Sequence, residues 1–91
     1  MSEKDDMSII SLLARSKKRI KVLKSLEKED KIPSKISKDI DDNSNHVSKY
    51  LKTLKEAELV ECLNEEDKRF RFYRITAKGK HYLEIIENKK Y

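Results

Sequence analysis

Between Asn43 and Val60 the chain reads NSNHVSKYLKTLKEAELV, and two stripes share it. Val47, Tyr50, Leu51, Leu54 and Ala57 recur at helical spacing, and Asn45, Lys49, Lys52 and Glu56 take the opposite side, with Lys55 and Ser48 on its flank. At about 100° per residue this is one amphipathic helix, packed on a core along one side and mostly basic along the other. The same periodicity predicts helices elsewhere. Ile9, Ile10, Leu12 and Leu13 suffice for a short helix over Ser8–Ala14. Ser16 has the chemistry of an N-cap, and Ile20, Val22, Leu23 and Leu26 mark most of one face of a helix running to about Glu29. The pattern leaves open whether Ser16 separates two helices or sits inside one. Pro33 suits a first helical turn, so a short helix is expected from Pro33 or Ser34 to Ile40, with Ile36 and Ile40 facing inward. Asp41-Asp42-Asn43 has the composition of a turn, and Asn43 or Ser44 should cap the amphipathic helix.

The periodicity then changes. Leu59–Asn64 and Arg69–Ile75 are rich in β-formers, with Glu65-Glu66-Asp67-Lys68 between them, which predicts a β-hairpin with a four-residue loop. Along the second strand Tyr73 and Ile75 should share a side with Arg71, leaving Phe70, Phe72 and Arg74 on the other. Two exposed phenylalanines are unfavourable, so at least Phe72 is expected to be covered. Thr76 can cap a last helix from Ala77 to about Lys89. The expected fold is mainly α with a small β-hairpin, and the order of elements matches a helix-turn-helix followed by a wing.

Ninety-one residues make one domain, 1–91. Residues 1–7 are expected to be mobile, and 8–15 and 77–90 to form the terminal helices. Charged residues are 43% of the chain and hydrophobic ones 36%, so the core is small and the exterior heavily solvated. The formal net charge is +5, from 22 Lys and Arg against 17 Asp and Glu, which permits an anionic partner without proving one. Arg15, Lys17, Lys18, Arg19, Lys21 and Lys24 form a run without an acid. Lys17, Lys21 and Lys24 share a helix face that either contacts phosphate or is simply solvated. Cys62 is the single cysteine, so no disulfide can form within the chain, which suits a reducing compartment. The acidic N-terminus is unlike a signal peptide, and no apolar run approaches the ~20 residues of a membrane span. A cytoplasmic location with no membrane partner is expected.

The residues resemble a known family. VSKYLKTLKEAELV is similar to the recognition-helix segment of the ArsR-type winged helix-turn-helix transcription regulators, which typically reads V-S-x-H-L-x-x-L-x-x-A-G-L-V. Val47, Ser48, Leu51, Leu54, Ala57, Leu59 and Val60 match, with Tyr50 in place of the usual histidine. SKKRIKVLKSL (Ser16–Leu26) resembles the family's first core helix, PSKISKDI (Pro33–Ile40) its first helix-turn-helix helix, and FYRITAKGKHYL (Phe72–Leu83) the end of the wing and the start of the last helix. The chain departs from the family at Asp41 and Glu58, where glycine is usual, and at Asp42, near which an apolar residue is usual. Asp41 and Asp42 would also repel phosphates beside the turn.

The resemblance implies an α-α-α-β-β-α winged helix-turn-helix with an additional N-terminal helix. Its function would be sequence-specific binding of double-stranded DNA, with the helix over about 43–58 in the major groove and the wing over 60–75 at the flanking backbone. The implied DNA contacts are Ser44, Asn45, His46, Ser48, Lys49, Lys52 and Lys55 on the helix, Lys35 beside the turn, and Lys68, Arg69 and Arg71 on the wing. Asn reads adenine, Lys reads guanine or meets phosphate, and the plain alternative is a solvated face. The terminal helices imply a homodimer through Ile9, Leu13, Tyr82, Ile85 and Ile86, the alternative being a monomer whose terminal helices fold back on themselves. No metal and no cofactor are expected, because Cys62, His46 and His81 lie in three different elements and zinc needs three or four convergent ligands. Cys62 reads as a small buried strand residue. Enzymatic activity is not expected: Gly79 is the only glycine, so no phosphate-cradling loop exists, and no nucleophile–base spacing stands out. Gly79 follows the Thr76 cap where it permits close helix packing. A protein-interaction module built on the same fold and an RNA-binding domain are the competing readings.

Overall fold

The computed structural model describes residues 3–89. It holds helices α1 (Glu3–Ala14), α2 (Lys17–Leu26), α3 (Pro33–Ile40) and α4 (Ser44–Glu56), strands β1 (Val60–Cys62) and β2 (Tyr73–Ile75), and helix α5 (Ala77–Lys89). Met1, Ser2, Lys90 and Tyr91 lie outside the described residues, as do the expectations that fell on them. α1 begins at Glu3 rather than Ser8, and α2 stops at Leu26 rather than near Glu29.

Ser16 does separate two helices. Its hydroxyl accepts the Arg19 amide at 3.3 Å, and the Arg19 guanidinium donates back to the Leu12 carbonyl at 2.8 Å, so the α1–α2 corner is held from both sides. Pro33 opens α3, where its missing N–H costs nothing. α2, α3 and α4 pack on one another, α1 and α5 close the core from the other side, and the hairpin lies against α4, α2 and α5. The core is apolar: Leu13, Val22, Leu23, Ile36, Val47 and Leu54 have no exposed surface, and no polar or charged residue is buried among the described residues.

The two departures from glycine occupy left-handed backbone. Asp41 has φ 55° and Glu58 φ 64°. After α3, the amides of Asp41 and Asp42 return to the carbonyls of Lys38 and Ser37; after α4, those of Glu58 and Leu59 return to Lys55 and Leu54. Each pair of bonds closes a helix end in the geometry for which glycine is usual. Buried Leu54 and Leu59 flank the second turn. A side chain in left-handed backbone costs roughly 1–2 kcal/mol, partly offset by the greater freedom glycine has when unfolded. Glu58→Gly is therefore expected to stabilise the domain by about 1 kcal/mol, raising the melting temperature by roughly 4–8 °C. A melting temperature unchanged or lowered in a calorimetric scan would contradict this.

The hairpin is shorter than its sequence suggests. Only Val60–Ile75, Glu61–Arg74 and Cys62–Tyr73 pair, extended by the Leu63 amide to the Phe72 carbonyl at 2.8 Å. Arg69–Phe72 is not strand because side chains take its backbone groups. Asn64 accepts the Phe72 amide at 2.7 Å and donates to the Phe70 carbonyl at 2.7 Å. Asp67 accepts the amides of Arg69 and Phe70 at 2.8 and 2.9 Å. On the far edge of β2, Tyr73 exchanges two backbone bonds with Lys31, 3.1 and 2.9 Å, a pairing that nothing in the local pattern around Lys31 signals.

Candidate nucleic-acid interface

α4 is capped by Asn43, whose side-chain oxygen accepts the His46 amide at 2.9 Å. Val47, Leu51 and Leu54 are buried, while Ser44, Asn45, His46, Ser48, Lys49, Lys52 and Lys55 are exposed. The two stripes of the sequence are two physical faces, and the polar one is open. Among the described residues Lys49 and Lys52 have no ion-pair partner. Lys55 differs: Glu65 from the wing loop pairs with it, which raises the ammonium pKa and lowers that of the carboxyl. An anion arriving at Lys55 must share the ammonium with Glu65 or displace it.

The wing completes the surface. Ser48, Lys52 and Lys55 from α4 and Lys68, Arg69 and Arg71 from the wing line one open groove of about 470 Å³, floored by Pro33, Leu51 and Tyr73. Arg71 is steadied by donating from Nε to the Asp67 carbonyl at 2.9 Å. Residues that the sequence places on separate elements therefore share a single basic trough, with Lys49 and the first turn of α4 exposed beyond it. Lys35 lies on α3 and is paired to Glu29 at 3.2 Å. In the α2 run, Lys24 pairs with Glu87 of α5 at 2.8 Å, which raises its pKa, while Lys17 and Lys21 are exposed.

Asp42 is the residue that the sequence misread. It does not face an incoming phosphate; its side chain is only 12% exposed. One carboxylate oxygen accepts the His46 Nδ1 and the Asn43 amide, both at 2.8 Å. The other accepts the Tyr50 hydroxyl at 3.1 Å and lies 3.8 Å from the Lys18 ammonium. The hydrogen bond from His46 leads the causes that lower its pKa to about 2. Lys18 also donates to the Ile40 carbonyl at 3.4 Å. The family's apolar position at the turn is here replaced by a polar knot joining α2, the turn and α4. The available signal was the four-residue spacing of Asp42, His46 and Tyr50, with Asp42 just before the Asn43 cap and the other two on one flank of α4, together with the exchange of the usual histidine for Tyr50.

Two further expectations need correcting. Phe72 is not covered: it is 43% exposed and Phe70 56%, with exposed Leu63 beside the Phe72 carbonyl. The buried side of the hairpin is the Ile75 side, and among the described residues no element lies over the other. At the termini, Ile9, Leu13 and Tyr82 were expected at a subunit contact, but all three are in the core of the single chain. A small domain needs its largest apolar groups for its own interior. Ile85 and Ile86 are half-buried, and Met7 is exposed. Cys62 is half-buried in β1. No helix among the described residues is long and apolar enough to cross a membrane.

A protein-family model described as winged helix-turn-helix matches residues 15–90. No curated protein matches the sequence. Among solved structures, the chain is similar to the homodimeric winged helix-turn-helix DNA-binding domain (fragment 1–100) of Mb0332 from Mycobacterium bovis, described as a possible ArsR-family transcriptional regulator. The TM-score is 0.74 at 18% identity, covering 96% of this chain and 84% of that one. Similarity to S. aureus MepR, solved in complex with DNA, gives a TM-score of 0.69 at 18% identity over 90% of this chain and 73% of that one. Lactococcus lactis ZitR, as a C30AH42A mutant, gives 0.69 at 22% identity over 79% of this chain. This chain spans about half the length of ZitR, covering 50% of it. At such identities these likenesses concern the fold.

Proposed function

Since the chain belongs to the winged helix-turn-helix family, we propose that it is a sequence-specific double-stranded DNA-binding transcription regulator of the ArsR type, acting as a homodimer. The observation that carries this is the basic trough between α4 and the wing, continuous with the unpaired Lys49 and Lys52. A major groove admits one helix, and the open side of α4 presents an amide, hydroxyls and amines along its first three turns, the part of a recognition helix that meets bases and phosphates. The wing cations then lie where the flanking backbone would run. The Mycobacterium bovis domain is homodimeric and MepR was solved on DNA, which supports carrying both partners over. With Ile9, Leu13 and Tyr82 committed to the core, the dimer contact assigned here moves to Met7, Ile10, Leu12, Ile85 and Ile86 on α1 and α5.

A second reading, a protein-interaction module, draws on exposed Leu63, Phe70 and Phe72, an apolar strip on the wing's outer side. A mobility-shift titration with duplex DNA across a salt series separates the two. About four phosphate contacts per subunit would give a slope of log K against log salt of roughly −3.6 per subunit. Binding that is flat across the series, or no duplex binding at low salt, would favour the protein module.

A further inference from the structure

We infer that His46 is a base-reading residue of this interface and that Asp42 is its positioning residue, setting the imidazole so that Nε2 accepts a hydrogen bond from an exocyclic amino group, adenine N6 or cytosine N4, in the major groove. The inference rests on the DNA-binding reading and specifies what that site recognises.

The argument begins with the carboxylate. Four groups converge on Asp42: His46 Nδ1 and the Asn43 amide on one oxygen, the Tyr50 hydroxyl and the Lys18 ammonium on the other. The amide and the ammonium are donors only, and beside them the carboxyl is ionised at neutral pH. An ionised carboxylate is an acceptor only. At 2.8 Å the shared proton must therefore sit on His46 Nδ1. In a neutral imidazole that leaves Nε2 as a lone-pair acceptor. The Nδ1 bond to Asp42 orients the ring as well as setting its tautomer, and the Asn43 cap on the His46 amide holds the backbone that carries it. The side chain is nevertheless 52% exposed, in the first turn of α4. In the major groove, donors are offered only by adenine N6 and cytosine N4, whereas guanine and thymine present acceptors that would face the Nε2 lone pair unfavourably.

Two measurements on the full chain test this. The first is ¹⁵N NMR of the His46 ring in the free protein at a pH where the ring is neutral. The expected result is a protonated Nδ1 and a bare Nε2. In Asp42→Asn the amide can donate to Nδ1 instead, so a population with Nε2–H should appear. A wild-type ring protonated at Nε2 overturns the proposal. The second is selection and sequencing of duplexes from a randomised pool, by the wild type, Asp42→Asn and His46→Ala. The wild type should prefer adenine or cytosine over the other bases at one position per half-site by roughly 3- to 10-fold, the worth of one hydrogen bond. His46→Ala should lose that preference and Asp42→Asn should weaken it, the remaining positions keeping theirs. A retained pool whose profile is the same in His46→Ala as in the wild type overturns the role of His46 alone. A pool from which nothing is retained overturns the DNA reading and this role with it. His46 is exposed, so its alanine variant keeps the test available should Asp42→Asn prove unstable.

Discussion

Replacing Lys49 and Lys52 together by alanine is expected to cost on the order of 60-fold in duplex affinity per subunit at ~0.1 M salt, leaving the domain folded. The size follows from counterion release. Each neutralised phosphate contributes about −0.9 to the slope of log K against log salt. Two lysines thus contribute about −1.8, which over the decade from 1 M to ~0.1 M amounts to roughly 60-fold. The same variant should flatten the salt dependence by that increment, and this distinguishes lost phosphate contacts from a lost base contact. The fold should be indifferent, because both side chains are exposed and lie opposite Val47, Leu51 and Leu54. These two are chosen over Lys55 because Glu65 already engages Lys55. Part of the Lys55 charge is therefore already compensated before a phosphate arrives. A double variant that binds duplex with unchanged affinity and slope would remove Lys49 and Lys52 from the interface.

Gly79→Ala is expected to destabilise the domain by at least about 3 kcal/mol, a cost at the upper end for overpacking, and to lower the melting temperature by more than about 12 °C. A methyl group on Gly79 would stand 2.7 Å from Ile75 Cγ1 and closer still to the Leu59 carbonyl oxygen. The side chain of Ile75 can rotate, but a backbone oxygen moves only with its chain. That oxygen accepts the Thr76 amide at 3.0 Å, and the Thr76 hydroxyl accepts the Gly79 amide at 2.9 Å and donates to the Glu58 carbonyl at 2.8 Å. The end of α4, the start of β1 and the first turn of α5 thus meet within one hydrogen-bonded knot, and Gly79 is the point where no side chain fits. Thermal denaturation followed by circular dichroism measures the effect. A melting temperature within a few degrees of the wild type would show that α5 can shift without penalty.

Much of this molecule follows from local rules. The caps at Ser16, Asn43 and Thr76 and the proline start of α3 depend on groups within a few residues of one another, so they are legible one segment at a time. The periodicity of α4 likewise separates Val47, Leu51 and Leu54 from Lys49 and Lys52 without reference to the rest of the chain. The wing is less legible. Arg69–Phe72 has strand-forming side chains, but Asn64 and Asp67 claim its backbone groups, and β propensity carries no information about that competition. Covering Phe72 was a sound expectation for an isolated sheet. It fails because the hairpin packs its other side and, among the described residues, no element reaches the outer one.

The sequence by itself determined the helices, the amphipathic split of α4 and the order that makes a winged helix-turn-helix, since these follow from patterns a few residues long. Tertiary structure alone decided which charges remain free. Glu65 reaches Lys55 and Glu87 reaches Lys24 across chain separations that no periodicity encodes. Asp42, acidic at the turn by sequence, is turned inward by Lys18, His46 and Tyr50, so it ties α2, the turn and α4 together rather than standing exposed. Tertiary packing likewise assigned Ile9, Leu13 and Tyr82 to the interior of one chain rather than to the seam between two. An apolar pattern reports that a residue will be buried, but what buries it is settled only when the helices meet.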